Sequence, residues 1–188
     1  MPHMNTASPF SSRLVRVVAC MPLLLGAGSL RLAAEPAQMP VPEVYFSPNG
    51  GATEAVVREI RGAKKTILVQ AYSFTSAPIA KALVDAFRSG VQVEVVLDKS
   101  NRTANYSEAD FLAHAGIPTR IDTRHAIAHN KVIVVDGEVV ITGSFNFTKA
   151  AEQSNAENLL ILRSAKLALR YVQDFYQHRE HSQPYAGR

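Results

Sequence analysis

Cysteine is nearly absent from this sequence, with Cys20 the only one among 188 residues. Tryptophan is missing, and aromatic residues make up 7% of the chain. A single cysteine forms no intramolecular disulfide and no cysteine-based zinc site, so a hydrophobic core must stabilise the fold. Hydrophobic residues at 47% and charged residues at 19% fit one globular domain and not a disordered chain.

Acidic residues are missing from the first 34 positions, which contain Arg13, Arg16 and Arg31. Two early arginines, the apolar run at 17–30 and the pair Ala33-Ala34 are typical of a secretory signal peptide over residues 1–34. We therefore expect a periplasmic or secreted protein. An uncleaved amphipathic helix and lipidation of Cys20 are the alternatives.

The excess of basic residues depends on that same segment. The formal net charge is +4, but removing its three arginines from the 20 basic residues leaves 17 against 16 acidic residues. Net charge is therefore weak support for a polyanionic partner.

The organisation expected after residue 34 is a proline-rich linker at 35–42, a single domain at 43–180 and a C-terminal tail at 181–188. Apolar β-branched runs alternate with segments of helical periodicity, which predicts an α/β layered sandwich. A hairpin at Asp136-Gly137 predicts a mixed central sheet flanked by helices. Strands are expected at 44–46, 66–74, 91–97, 117–121, 132–135, 138–142 and 158–162, and helices at 52–64, 78–89, 109–115 and 164–177.

One polar pattern carries the chemistry, and it comprises His129, Lys131, Asp136, Gly143-Ser144 and Asn146. Residues two apart on a strand share a face, so His129 and Lys131 should project together. Phosphodiester hydrolysis needs charge neutralisation, a nucleophile and a proton for the leaving oxygen. Lysine supplies the first without a metal, and histidine supplies either of the others near neutral pH.

The spacing H-x-K-x4-D-x6-G-S-x-N resembles the motif of the phospholipase D superfamily, and this short single-motif chain is similar to the bacterial Nuc-type endonucleases. With Ala156-Glu157-Asn158 and the order of elements, the resemblance covers most of residues 43–178. It implies a phosphodiesterase that needs no metal and no cofactor. Because the motif occurs once, it also implies a homodimer whose two His129 side chains meet at one phosphate. The zinc-binding insertion of the single-motif mitochondrial cardiolipin hydrolase has no counterpart in this cysteine-poor chain.

The resemblance implies a role for each motif residue. His129 would attack phosphorus and form a phosphohistidine, while His129 of a second subunit would protonate the leaving oxygen and later activate water. Lys131 and Asn146 would hold the nonbridging oxygens, and Ser144 would support them through its hydroxyl or backbone N–H. Glu157 would accept a hydrogen bond from the other ring nitrogen of His129.

Asp136 belongs to the same catalytic set, although its place in a turn favours a structural or electrostatic role. Other side chains are candidates for substrate contacts that read backbone charge or stack on bases. The basic candidates are Lys99, Arg102, Arg124, His125 and Lys149, and the aromatic candidates are Tyr72, Phe74 and Tyr106. His114, His178 and His181 have no motif context, and we expect them to be surface residues.

The favoured function is a sequence-nonspecific endonuclease that acts on DNA or RNA. A phospholipase D-type lipid phosphodiesterase would use the same residues, although no amphipathic membrane-binding segment is evident after residue 35. A noncatalytic nucleic-acid-binding module is a third reading. The intact set of His129, Lys131, Asn146 and Glu157 argues against it, because a binder needs no oriented nucleophile.

Overall fold

The computed structural model describes residues 40–188. The expected signal peptide at 1–34, Cys20 and the first part of the linker lie outside the described residues. Eight strands form one sheet: β1 (Glu43–Ser47), β2 (Thr66–Ala71), β3 (Gln92–Asp98), β4 (Thr119–Asp122), β5 (Lys131–Val135), β6 (Val139–Gly143), β7 (Glu157–Arg163) and β8 (Gln183–Tyr185). The helices are α1 (Ala52–Gly62), α2 (Ala77–Arg88), α3 (Ala109–His114), α4 (Lys149–Gln153) and α5 (Ala165–His181), with a 3₁₀ helix at Lys99–Arg102.

The strand order across the sheet is β1-β7-β6-β5-β2-β3-β4-β8. Neighbours β2, β3 and β4 are parallel, whereas every other neighbouring pair is antiparallel. The expected α/β architecture with a mixed sheet is therefore confirmed. Among residues 40–188, no helix is long and apolar enough to cross a membrane.

Both faces of the sheet are covered because side chains along each strand alternate between them. In β2, Ile67 and Val69 belong to the core cluster that contains Val56 of α1, and Leu68 belongs to the cluster that contains Phe175 of α5. Helices α1 and α2 therefore cover one face, and α5 covers the other. The nearly continuous apolar runs in β2 and β3 follow from this double burial.

The hairpin at Asp136-Gly137 forms with one difference from the expected boundaries. Both residues have positive φ, at 54° and 67°, and the N–H of Glu138 donates to the carbonyl of Val135 at 3.0 Å. The turn includes Glu138, so β6 begins one residue later, at Val139, which pairs with Val135. An Asp-Gly pair adopts this left-handed backbone at little cost.

The C-terminal end of the chain differs more from expectation. Helix α5 starts after Ser164, whose side chain caps it by accepting from the N–H of Leu167 at 3.3 Å, but it runs on to His181. Residues 181–188 are not a simple tail, because they contain β8, which pairs with β4. Three residues including Pro184 give no alternating pattern, and a proline is accommodated because β8 is an edge strand.

Candidate active site

The motif residues lie at one end of the sheet. Lys131 begins β5 and His129 lies two residues before it, Ser144 and Asn146 follow β6, and Glu157 begins β7. Because β6 pairs antiparallel with both β5 and β7, these three strand ends are adjacent. The structure thus brings together five of the six expected site residues.

Lys131 is buried, with 6% of the residue exposed. Its register partner in β2 is Ala71. The ammonium donates to the carbonyl of His129 at 2.8 Å and lies 5.1 Å from the centroid of the Tyr72 ring. Burial lowers the pKa of Lys131, and the negative charge of Glu157 partly opposes this shift. The site therefore holds a fixed, poorly solvated positive charge beside His129.

His129 is exposed, and its ring packs on Tyr72 with the centroids 4.6 Å apart. Within residues 40–188, neither ring nitrogen of His129 has a hydrogen-bond partner. Glu157 accepts from the side-chain amide of Asn155 at 3.2 Å, and the expected hydrogen bond between Glu157 and His129 stays a prediction. An exposed imidazole with both nitrogens unpaired is chemically available to a substrate.

Asn146 places an amide at the same strand end, and its Oδ1 atom is buried without a hydrogen-bond partner. A buried polar atom left unpaired is costly, which marks the position as one that a ligand can satisfy. The same side-chain amide carries an NH2 group, which is a hydrogen-bond donor. A donor there would complement a phosphate oxygen.

Ser144 is held by Asn158, whose backbone N–H donates to the serine Oγ at 3.1 Å. The backbone N–H of Ser144 donates in turn to the carbonyl of Asn158 at 3.1 Å, so this N–H is already committed. The hydroxyl hydrogen remains able to donate outward. The backbone at Gly143 lies so close to Asn158 that a Cβ added at Gly143 would be 2.2 Å from the carbonyl oxygen of Asn158.

Asp136 lies away from the other motif residues, at the opposite end of β5, about 16 Å along the strand from Lys131. Its carboxylate accepts the backbone N–H groups of Lys64, Lys65 and Thr66 at 2.7–2.9 Å. Burial raises the pKa of Asp136, but these three donors more than offset it, so the pKa is lowered overall. The contacts of Asp136 thus join the hairpin to the start of β2.

Two residues that support the site gave no clear signal in the sequence. They are Asp98 at the end of β3 and Asn101 in the 3₁₀ helix. Tyr72 is predicted from the sequence only to stack on substrate bases, and its packing against His129 is a finding of the structure. The Asp98 carboxylate accepts from the N–H of Ala128 at 2.7 Å, which anchors the loop before His129. The Asn101 amide donates to the carbonyl of Tyr72 at 2.6 Å. The sequence could have indicated Asp98 and Asn101 as site residues, because they are polar and lie where a buried parallel strand ends. The carboxyl ends of parallel strands meet at one edge of a sheet.

The remaining substrate-contact candidates have varied surroundings. Phe74 is fully buried against Phe147 in the core, whereas Tyr106 is exposed. Lys99 donates to the carbonyl of His125 at 3.2 Å, and Arg102 donates to Gln183 at 2.9 Å. Arg124 and Lys149 are exposed. A groove of about 980 Å³, lined by α1, the start of α2 and α4, contains no motif residue.

His178 and His181 are not the isolated surface residues that were expected. Both contact the carboxylate of Asp122, as does His125. Burial raises the pKa of Asp122, but hydrogen bonds from the three histidines more than offset it and hold the pKa well below its usual range. The sequence separation between the loop and α5 hid this cluster, although His178 and His181 share a helix face at i, i+3 spacing.

Comparison with known proteins agrees with the geometry. A family model described as "Cardiolipin synthase, PLD-like domain" matches residues 56–179. Phospholipase D of Rickettsia prowazekii is 43% identical over 131 residues, which covers 70% of this chain and 64% of the relative. Human mitochondrial cardiolipin hydrolase is 31% identical over 159 residues, covering 84% of this chain and 62% of the relative. The match thus spans less than two thirds of each of these relatives.

Among solved structures, Nuc from Salmonella typhimurium, a phospholipase D family member, is 41% identical with a TM-score of 0.74. The match covers 77% of this chain and 97% of Nuc. Sheet topology and the His129–Lys131 strand end together define a PLD-like domain. The chain belongs to the phospholipase D superfamily, as its motif predicted.

Proposed function

We propose that the protein is a metal-independent phosphodiesterase that cleaves DNA or RNA internally without sequence specificity, at a site shared by two subunits. One observation carries the proposal. The exposed imidazole of His129 has no hydrogen-bond partner within residues 40–188 and stands beside the buried ammonium of Lys131. A nucleophile next to a fixed positive charge matches what hydrolysis of a phosphate diester requires.

In the proposed reaction, a ring nitrogen of His129 attacks phosphorus, and the bond to the leaving oxygen breaks. Lys131 and the amide of Asn146 hold the nonbridging oxygens, which become more electron-rich in the transition state. Water then attacks phosphorus, breaks the phosphorus–nitrogen bond and releases the phosphate product with His129 restored. Ser144 contributes its outward hydroxyl to the same oxygens.

The leaving oxygen needs a proton, and the proposed source is His129 of a second subunit, which later removes a proton from the attacking water. One histidine must be neutral while the other is protonated, so the two titrate as a coupled pair and activity should be bell-shaped in pH. Phe46 and Ile127 support a partner at this end of the sheet. Both are large, apolar and exposed, Phe46 pairs with Asn158, and Ile127 lies two residues before His129.

Nucleic acid is the favoured substrate because the chain resembles the Nuc-type endonucleases and its match covers almost the whole of Nuc. The exposed cations Lys99, Arg124 and Lys149 also follow strands that end on the same side of the sheet as His129. Such side chains contact phosphates of any sequence. Export to the periplasm or the medium is part of the proposal and rests on residues 1–34.

A lipid phosphodiester is the second candidate. The relatives named phospholipase D and mitochondrial cardiolipin hydrolase favour it, since the same site residues would act on a phospholipid headgroup. The substrate test incubates the full-length protein in excess EDTA with plasmid DNA, with RNA and with phosphatidylcholine or cardiolipin vesicles. We expect nicked plasmid or cleaved RNA and intact lipid. Lipid cleavage alone would select the second candidate, and binding without cleavage would overturn both.

The shared site is tested separately by oligomeric state. Sedimentation of the wild type should show a dimer, and Ile127→Glu should shift it toward monomer with a parallel loss of activity. Lys166→Glu, an exposed change on α5, is the matched control and should leave the dimer unaffected. A strictly monomeric species with full activity would contradict the two-histidine site.

A further inference from the structure

Asp122 stands at the end of β4 with no exposed surface, and three histidines surround one of its oxygens. Oδ2 lies 2.9 Å from Nδ1 of His125, 2.8 Å from Nδ1 of His178 and 3.2 Å from Nε2 of His181. One ligand-type atom from each of these four residues lies within 4.8 Å of all the others. Such a cluster of three imidazoles and a carboxylate is outside the motif site.

Hydrogen bonding alone accounts poorly for this arrangement. The other carboxylate oxygen, Oδ1, already accepts the backbone N–H groups of Arg124 and His125 at 3.0 and 3.3 Å. All three rings therefore converge on Oδ2, which has two lone pairs. The ring centroids are 4.9–5.4 Å apart, so the three imidazoles are packed closely around this one oxygen.

We infer that Asp122, His125, His178 and His181 bind one divalent transition-metal ion, with Zn²⁺ the best match. Imidazole nitrogen and carboxylate oxygen are ordinary zinc ligands at about 2.0–2.2 Å, which places tetrahedral ligand atoms about 3.4 Å apart. The three N···O distances already lie near that value. The two ligand-type atoms that are farthest apart are separated by no more than 4.8 Å. Side-chain shifts of about 1 Å would bring them to the tetrahedral separation.

The number of protein ligands indicates whether the metal site is structural or catalytic. Four protein ligands complete a tetrahedral shell and leave no position for substrate, which is the pattern of a structural site and not a catalytic one. His125 is 44% exposed, so the ion has an entry path from solvent. Strand β4 lies three positions from β5 in the sheet, about 14 Å away, so the ion takes no part in the phosphoryl chemistry proposed at His129.

Its effect would be to join two segments that are far apart in sequence. His178 and His181 belong to the last turns of α5, and His125 belongs to the loop that leads to His129. That loop is already anchored at its other end, where Ala128 donates to Asp98. A bound ion would fix the first half of the loop to α5 and so stabilise both the C-terminal helix and the path to the site.

The test uses the full-length chain without a histidine tag, stripped of metal and titrated with Zn²⁺ in the absence of substrate. We expect one Zn²⁺ per chain and a rise in Tm of about 5–10 °C at a Zn²⁺ concentration 100-fold above Kd. Co²⁺ in place of Zn²⁺ should give the visible absorption of a four-coordinate ion. A wild-type Tm that Zn²⁺ does not move would overturn the inference, and the cluster would then be hydrogen-bonded only.

Variants locate the ion. His125→Gln, the least buried ligand and so the mildest change to the fold, should weaken Zn²⁺ binding by more than about tenfold, and His125→Gln with His181→Gln should abolish the Tm shift. His114→Gln changes an exposed histidine outside the cluster, and His129→Ala removes the nucleophile; both should bind Zn²⁺ as the wild type does. Equal binding by the cluster variants would overturn the assignment. Because only binding is measured, the result is independent of the proposed enzymatic activity.

Discussion

The ring of Tyr72 lies against the ring of His129, with 4.6 Å between centroids and a 53° angle between planes. The same ring lies 5.1 Å from the Lys131 ammonium. Tyr72 is itself fixed through its backbone, since its N–H donates to Asn130 at 2.8 Å and its carbonyl accepts from Asn101 at 2.6 Å. One aromatic side chain therefore orients both groups that we propose act on phosphorus.

Tyr72→Ala should lower kcat on nucleic acid by about 10–100-fold with little change in KM, because a nucleophile displaced by about 1 Å loses its alignment while phosphate contacts persist. Tyr72→Phe keeps the ring and should retain activity within about threefold. Steady-state kinetics with a fluorogenic oligonucleotide separates the two constants. Equal losses in both variants would point to the hydroxyl and not to ring packing.

Lys131→Met should have opposite effects on activity and stability. Loss of the cation should reduce kcat by about 10²–10³, whereas the free energy of unfolding should be unchanged or rise by about 1 kcal/mol, because a buried charge is replaced by an apolar chain of similar length. Urea denaturation measures the second quantity. A large loss of stability would show that Lys131 holds the fold and not the transition state.

The difference in free energy of unfolding between Lys131→Met and the wild type should depend on pH. Burial lowers the pKa of Lys131, so the charged form is less favourable in the folded chain than in the unfolded one. The resulting penalty is present at neutral pH and disappears as pH rises past the unfolded value of about 10.4. The stability difference between Lys131→Met and wild type should therefore narrow in alkaline solution.

Asp136→Asn should lower the free energy of unfolding at pH 7 by about 1–3 kcal/mol, because the carboxylate accepts three backbone N–H groups. Its pKa is lowered in the fold, so its contribution is present above the unfolded value of about 3.9 and is lost as pH falls below it. Denaturation at pH 7 and pH 3 should show the variant and wild type converging in acid. Activity per folded molecule should change little, since the site is at the other end of β5.

Gly143→Ala should cost about 1–3 kcal/mol of stability. The glycine has φ of 151°, and a Cβ there would lie 2.2 Å from the carbonyl of Asn158. Gly62→Ala is the matched control, because a Cβ there meets no atom within 4 Å and alanine favours a helix. Chemical denaturation of both variants tests the contrast, and similar stabilities would contradict the close approach.

Chelation should separate stability from catalysis. Excess EDTA should lower the Tm of the wild type, because it removes the metal ion from the Asp122 cluster. The cleavage rate at 25 °C, a temperature well below Tm, should not change. The double variant His125→Gln, His181→Gln should show no response to EDTA in either quantity. If EDTA abolishes cleavage by that variant and a single metal restores it, the metal-independent histidine mechanism is wrong.

Much of the fold followed from local patterns. The apolar stripe of α2 and the β-branched runs of β2 and β3 marked those elements to within one to three residues, because double burial and helical periodicity leave strong signals. Helix α4 and strand β8 were missed. Both are short, at five and three residues, so their structure depends on tertiary contacts more than on their own periodicity.

The site was predictable to a similar extent. Spacing in the motif placed His129 and Lys131 on one strand end, and strand order brought Asn146 and Glu157 beside them. The position of Asp136 at the end of β5 opposite the site became evident only from the pairing of β5 with β6. The Asp122 cluster could not be predicted at all from local spacing, because its two halves are joined only by the packing of α5 against the sheet.

The two edge strands of the sheet, β1 and β8, are the first and last strands of the described chain. Glu43 and Tyr185 both lie at the end of the sheet opposite His129, and seven strand spacings of about 4.8 Å separate them by about 34 Å. A circular permutant would therefore need a connecting peptide of at least about ten extended residues. A fusion partner attached at either position would project away from the substrate.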